Sequence, residues 1–169
     1  MNDTSNTPPI DDVKASGAEP PLNSTLSTIF TLQSRLVMVG WFILICLPFW
    51  DFGKSIVLLV ITMLSAVYAY LIFFGSRFDE GHRAPSVKGF LSLQGVMKLF
   101  KNPRATLAGW IHFLAFDLMI GLFIVIDAQQ QMISHWFLVP ILLFTLMIGP
   151  SGLLFYIILR LVLTGGVFV

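Results

Sequence analysis

Apolar residues in this chain do not recur with the period of a soluble amphipathic helix or a half-buried strand. They run nearly unbroken for a bilayer's depth at a time. Four such runs stand out: about Ile29 to Trp50 with "LVMVGWFILICLPFW" as its centre, Ser55–Gly75, Ala105–Ala128, and Trp136–Leu163. A helix needs roughly 20 apolar residues to cross hydrocarbon, and each run is long enough. The pattern predicts an all-α, polytopic membrane protein with a bundle of four transmembrane helices.

The connections add detail. Between the second and third runs, "VKGFLSLQGVMKLFKN" places Phe90, Leu93, Met97 and Phe100 on one helical face, with Lys88, Lys98 and Lys101 elsewhere. That predicts a short interfacial helix over about residues 88–101, lying at the cytoplasmic headgroups. It reads either as an anchor for the third span or as a lid over a cavity, and Gly89 and Gly95 weaken it. Residues 1–25 are polar, rich in Pro, Ser, Thr and Asn, and predict a disordered cytoplasmic tail ahead of a membrane domain over 26–169. The tail resembles neither a signal peptide nor a transit peptide. Asn2 and Asn23 begin glycosylation sequons, which matter only on a lumenal side. No internal repeat is visible, so a transporter of duplicated halves has no support.

Composition agrees: 56% of residues are hydrophobic and 11% charged, against about a quarter charged in soluble domains. The single Cys46 excludes an intrachain disulfide. Charge distribution says more than the net +1. With four complete crossings, Lys14, Arg35, Arg77, Arg83, Lys88, Lys98, Lys101, Arg104 and Arg160 fall on the side of both termini, and Lys54 alone on the other. The positive-inside rule then puts both termini in the cytoplasm.

Ionisable residues inside a span are costly and are functional candidates by default. His112, Asp117, Arg35 and Arg160 qualify, with Asp127 at an outer end. At 1.5 Å per residue, His112 lies roughly 10 Å deep and Asp117 roughly 18 Å deep. Five positions differ in direction by about 140°, so the two cannot share a face. Asp117 shares its stripe with Trp110, Phe113 and Gly121; His112 lies beside Gly109, Phe116 and Met119. In the fourth run Thr145, Gly149, Gly152, Tyr156 and Arg160 share a stripe. Its glycines permit close approach, and Pro150 frees carbonyls of the preceding turn. Only a short connection joins the third and fourth spans, so they should be antiparallel neighbours; matching depths puts Asp117 level with "GPSG" and His112 near Tyr156 and Arg160, with Arg35 within reach of the same layer. Each has a structural reading too: Arg35 and Arg160 snorkel, His112 bonds a carbonyl, Asp127 rests at the interface. No Lys sits mid-span for a Schiff base, no second intramembrane His offers paired haem ligation, and no metal-ligand or nucleotide-binding spacing occurs.

"FLSLQGVMKLFKNP", "GWIHFLAFDLMIG" and "GPSGLLFYIILR", in that order, resemble the abscisic-acid-deficient-4-like family, whose plant members are required for neoxanthin synthesis from violaxanthin. "IFTLQSRLVMVGWFILICLPFW" also resembles its first span, and the likeness covers about residues 29–163. It implies Trp110, His112, Asp117, Gly149, Pro150, Gly152 and Arg160 as signature residues. The family pattern commonly carries an Arg after D-L-x-x-G, where this chain has Leu122. The tail suggests a bacterial member, in the inner (cytoplasmic) membrane.

The resemblance implies a carotenoid-modifying protein, an isomerase that opens a 5,6-epoxide to an allene without any cofactor. In that reading Asp117 is the acid and His112 the base. Trp110, Phe113, Phe116 and Tyr156 line an apolar slot, with Arg160 and Arg35 as further substrate contacts and Gly121, Gly149, Pro150 and Gly152 as structural positions. The partners are a lipophilic small molecule and the bilayer, with no nucleic acid. Two alternatives stand beside it: a non-catalytic pigment- or lipid-binding assembly protein, and a small proton-linked transporter using Asp117, which would need a homo-oligomer to form a path.

Overall fold

The computed structural model describes residues 23–79 and 91–166. These residues form α1 (Ser24–Cys46), α2 (Gly53–Phe74), a 3-10 turn (Gly75–Phe78), α3 (Leu93–Leu99), α4 (Pro103–Gln130), α5 (His135–Ile148) and α6 (Pro150–Thr164), with no strand among them. Three helices are long and apolar enough to cross a membrane: Ser24–Cys46, Gly53–Phe78 with its 3-10 end, and Pro103–Gln130.

Helix α1 begins five residues before the apolar run suggests. Asn23 is its N-cap and accepts a hydrogen bond from Thr25 N at 2.9 Å, which satisfies one of the free N–H groups of the first turn. Most of the expected tail, residues 1–22, lies outside the described residues. Helix α3 covers only the middle of the segment expected over 88–101. Ser92 caps it through Gly95 N at 3.1 Å, none of its residues is buried, and 88–90 lie outside the described residues. Phe100, just after it, docks at Gly109, where a Cβ would lie 2.9 Å from the Phe100 ring.

Helices α1 and α4 run parallel, with α2 antiparallel to both. Small residues set their spacing. Gly40 of α1 receives Leu118 of α4, and Gly121 of α4 receives Trp41 of α1; an added Cβ at these glycines would stand 2.7 Å and 2.8 Å from those side chains. Reciprocal fits of this kind let van der Waals contact hold helices together where lipid gives no hydrophobic incentive. The core they enclose holds Val37, Trp41, Leu64, Ile111, Leu118 and Ile124, all nearly solvent-free.

The largest departure from the sequence reading is the fourth run. It is not one crossing but two helices of 14 and 15 residues, parted at Gly149, each too short to span. They fold back on each other. Phe144 and Phe155 rings lie 5.2 Å apart, and a Cβ on Gly152 would meet Thr145 Cα at 2.6 Å. A continuous helix would separate those pairs by roughly 10–16 Å of rise. Helix α5 starts beside Ile45, whose carbonyl contacts His135 Nε2 at 2.9 Å. It descends to Asp117 in the middle of α4, and α6 climbs back to Asp127, where Arg160 is bound. The hairpin therefore occupies half the bundle's height. The last described residue, Gly166, lies at the end opposite Asn23, whereas four complete crossings would bring these two residues to the same end.

Candidate functional site

Two Asp–Arg pairs, one buried and one part-buried, mark the two ends of α4. Near the Asn23 end, Asp79 accepts from Arg104 Nε and Nη2, each at 2.8 Å, and from Asn102 Nδ2 at 2.8 Å. Arg104 Nη1 donates to the Leu71 carbonyl at 2.7 Å. Asn102 also caps α4 through Ala105 N at 3.0 Å. All three side chains are buried. Asp79 and Asn102 were not picked out from the sequence, and Arg104 counted only as a loop charge. A signal was present: an Arg directly after "NP" sits in the first helical turn, where the helix dipole disfavours a cation, so a carboxylate partner is needed.

At the other end, Asp127 accepts from Tyr156 Oη and from Arg160 Nε, the latter at 2.7 Å. Tyr156 and Arg160 are nearly fully buried. Successive turns of α6 aim them at one carboxylate because the hairpin lays α6 parallel to α4. This cluster heads a cavity of about 390 Å³ between α4 and α6, lined otherwise by Met119, Ile120, Phe123, Leu153 and Ile157. It is a greasy groove with a polar head. Asp127, read from the sequence as an interfacial residue, thus belongs with Tyr156 and Arg160.

The same fold separates the residues that the sequence grouped. His112 does not meet Tyr156 or Arg160. Its ring stacks at 4.5 Å on Phe116 and lies 5.5 Å from Tyr68 of α2, and its side chain is exposed. Asp117 does lie opposite "GPSG", as expected. A Cβ on Gly149 would overlap its Oδ1 and sit 2.8 Å from its Cγ. His112 and Asp117 therefore face different elements. Trp110, Phe113 and Phe116 are exposed, Trp110 pairing with Phe30 at 6.3 Å. Arg35 is exposed and makes no hydrogen bond among the described residues. Of the expected substrate contacts, Tyr156 and Arg160 alone line the groove. His112, Phe116, Ile120, Phe123 and Asp127, four, four, three and four apart, nonetheless form one stripe that continues it along α4. Gly121 and Gly152 fill the close-packing roles assigned to them.

No group of three or more His, Cys, Asp or Glu able to hold a metal occurs among the described residues. Residues 28–156 match the sequence model of the ABA DEFICIENT 4-like family. No curated protein and no solved structure matches the chain.

Proposed function

Because the chain belongs to the ABA DEFICIENT 4-like family and carries three membrane-length apolar helices, we propose that it works in the membrane on a xanthophyll, isomerising an epoxide end group at Asp127. One observation carries this: Tyr156 and Arg160 converge on Asp127 at the head of an apolar groove. A rigid polyene fits such a groove, its end group against the polar cluster and its chain along Phe123, Ile120 and Phe116. His112 stands about 22 Å down the same stripe, a suitable distance for contact near the far half of the molecule.

The chemistry needs one acid and one base. Asp127 takes a proton from the polyene carbon next to the epoxide. Those electrons form the new double bond of the allene, and the nearer C–O bond breaks. Tyr156 gives its proton to the oxygen, which stays on the neighbouring carbon as a hydroxyl. The Asp127 carboxyl then returns the proton to the Tyr156 oxygen, so atoms and charge balance. Arg160 holds negative charge in place through both halves, in a site from which water is largely excluded. This moves the acid–base pair from Asp117 and His112, which face different elements, to two groups already in hydrogen-bond contact.

Orientation follows from charge. Among the described residues the Asn23 end gathers Arg77, Lys98, Lys101 and Arg104, while Lys54 and Arg160 lie at the other. The positive-inside rule puts the Asn23 end in the cytoplasm. The groove then opens in the outer half of the bilayer, and the end beyond Thr164 faces outward.

The test is conversion of a 5,6-epoxy xanthophyll by purified protein in vesicles, followed by chromatography. Wild type should form the allenic isomer, and Tyr156→Phe should slow it about 10²-fold or more while still retaining pigment. Pigment recovered unchanged from wild type would instead make this a binding protein, a reading that the same groove supports. Absence of any bound or converted pigment would remove both.

A further inference from the structure

Two charged side chains stand at mid-membrane depth. Arg35 lies midway along α1, between Ser24 and Cys46, and Asp117 lies midway along α4, between Pro103 and Gln130. Neither makes a hydrogen bond or an ion pair among the described residues. The described carboxylates elsewhere are Asp79, held by Arg104, Asp127, held by Arg160, and Asp51 in the connection from α1 to α2. One cation and one carboxylate are thus left over in the middle of the bilayer, where an unpaired charge is costly. Arg35 is about 16 Å from either end of its helix, farther than its side chain extends toward the headgroups.

The two do not satisfy each other within one chain. Gln33 and Val37 are buried on either side of Arg35, so Arg35, about 200° from each, faces away from the bundle. Asp117, half-buried, tops a stripe of α4 with Phe113 and Trp110, four and seven positions earlier. Both rings are exposed because the hairpin stops above them. This strip, edged by Phe30 of α1, is a bay in the Asn23 half of the bundle. The face of α1 that carries Arg35 changes character over the same half. From Ser24 to Arg35 it is small and hydroxylated, with Ser27, Thr28 and Thr31 exposed. Beyond Arg35 it turns to the exposed Met38, Val39 and Phe42. Thr28 and Thr31 return their hydroxyls to the Ser24 and Ser27 carbonyls at 2.9 Å and 3.1 Å. What remains is a low surface that a neighbouring helix can approach closely.

We infer that the bay is filled by a second copy of this chain, with Arg35 paired to the partner's Asp117 and the partner's Arg35 paired to Asp117. A two-fold axis along the membrane normal leaves every residue at its own depth, and such an interface uses one patch twice. It joins Arg35 to Asp117 only if the two stand level. The contacts Phe30–Trp110, Gly40–Leu118 and Trp41–Gly121 fix the register of α1 against α4. They put Asp117 level with residues 37–39, about 3–6 Å along the axis from Arg35, a gap that an Arg side chain bridges. Shape agrees with charge: the large rings of the bay meet the small residues of the α1 stripe. Lipid meets the need less well. A phosphate would have to leave the headgroups to reach Arg35, and it would still leave Asp117 without a partner.

The experiment co-expresses two differently tagged full-length chains and captures one tag from gently solubilised membranes. Wild type should bring its tagged partner down. Arg35→Ala against itself, and Asp117→Asn against itself, should each lower that recovery by about tenfold or more, since each breaks two symmetry-related pairs. Arg35→Ala against Asp117→Asn should recover, because the mixed dimer keeps one intact pair and sets two neutral residues opposite each other in the second. A mere folding defect is not complemented in this way. Should Asp117→Asn fail to fold, disulfide trapping in membranes decides. With Cys46→Ser throughout, Thr31→Cys on one chain should cross-link to Phe113→Cys on the other, and adding Arg35→Ala to both should lower the yield. Wild type captured without its partner would overturn the inference. So would capture or cross-linking indifferent to Arg35→Ala, or mixed variants that associate no better than either alone. A single-copy wild type that retains anionic lipid, lost with Arg35→Ala, would overturn it too and put a phosphate on Arg35.

Discussion

The two Asp–Arg pairs on α4 are chemically alike and do opposite work. Asp79–Arg104 is closed: the side chains are 10% and 7% exposed, the carboxylate takes three side-chain bonds, and Arg104 adds a carbonyl of α2. Even the glycine beside it is committed, since a Cβ on Gly75 would meet Arg104 Cδ at 2.7 Å. Nothing is left to offer a ligand. Asp127–Arg160 is half open. Arg160 is 4% exposed and Asp127 17% exposed, with an apolar groove beside them. Burial alone does not make a site; a buried charge with spare bonding capacity beside empty space does.

That contrast can be broken by mutation. Arg104→Ala should have the largest effect on stability, because it strands a buried carboxylate; loss of one partner from such a pair costs about 3–5 kcal/mol. The readout is a large fall in melting temperature or failure to recover monodisperse protein, and a double-mutant cycle with Asp79→Ala should give strong coupling. Gly152→Ala comes next. It drives a methyl into the Thr145 backbone and should cost about 1–3 kcal/mol through overpacking, loosening the hairpin without touching either ion pair. Asp127→Asn should alter stability less than Arg104→Ala yet eliminate xanthophyll conversion, because the amide still accepts from Tyr156 and Arg160 but is no base. If Asp127→Asn proved as destabilising as Arg104→Ala with conversion intact, the two clusters would both be structural. Smallest is His112→Ala, which removes an exposed ring. Melting temperature should hold, and any loss should appear as weaker retention of a long polyene over a shortened one.

Legibility from the sequence was uneven for definite reasons. The separation of His112 from Asp117 follows from helical periodicity alone, and the contact of Asp117 with "GPSG" follows from matching depths along a short connection. Gly121 and Gly152 were readable as close-approach points because small residues in apolar helices have few other uses. Asp79 and Asn102 were not singled out, and Asp127 was read only as an interfacial residue. Asp79 sits in a loop 25 residues before Arg104, and only folding brings them together. Asp127 was placed at the correct end but without its partners, because one assumption, a complete fourth crossing, sent Tyr156 and Arg160 to the wrong end of the bundle.

The sequence by itself determined that this is a helical membrane protein, where α1, α2 and α4 run, and that Asp117 stands near the middle of its helix. Those are consequences of local apolar length and of a fixed rise per residue. Only the tertiary structure decided what "IGPSG" does. Two glycines around a proline are compatible with a kinked span or with a reversal, and local propensity does not choose between them. The choice rests on contacts far apart in sequence, Asp127 with Tyr156 and Arg160 at one end of the hairpin and Asp117 with Gly149 at its tip. The part-buried carboxylate of Asp127 on α4 gains these partners only because α6 turns back to reach it.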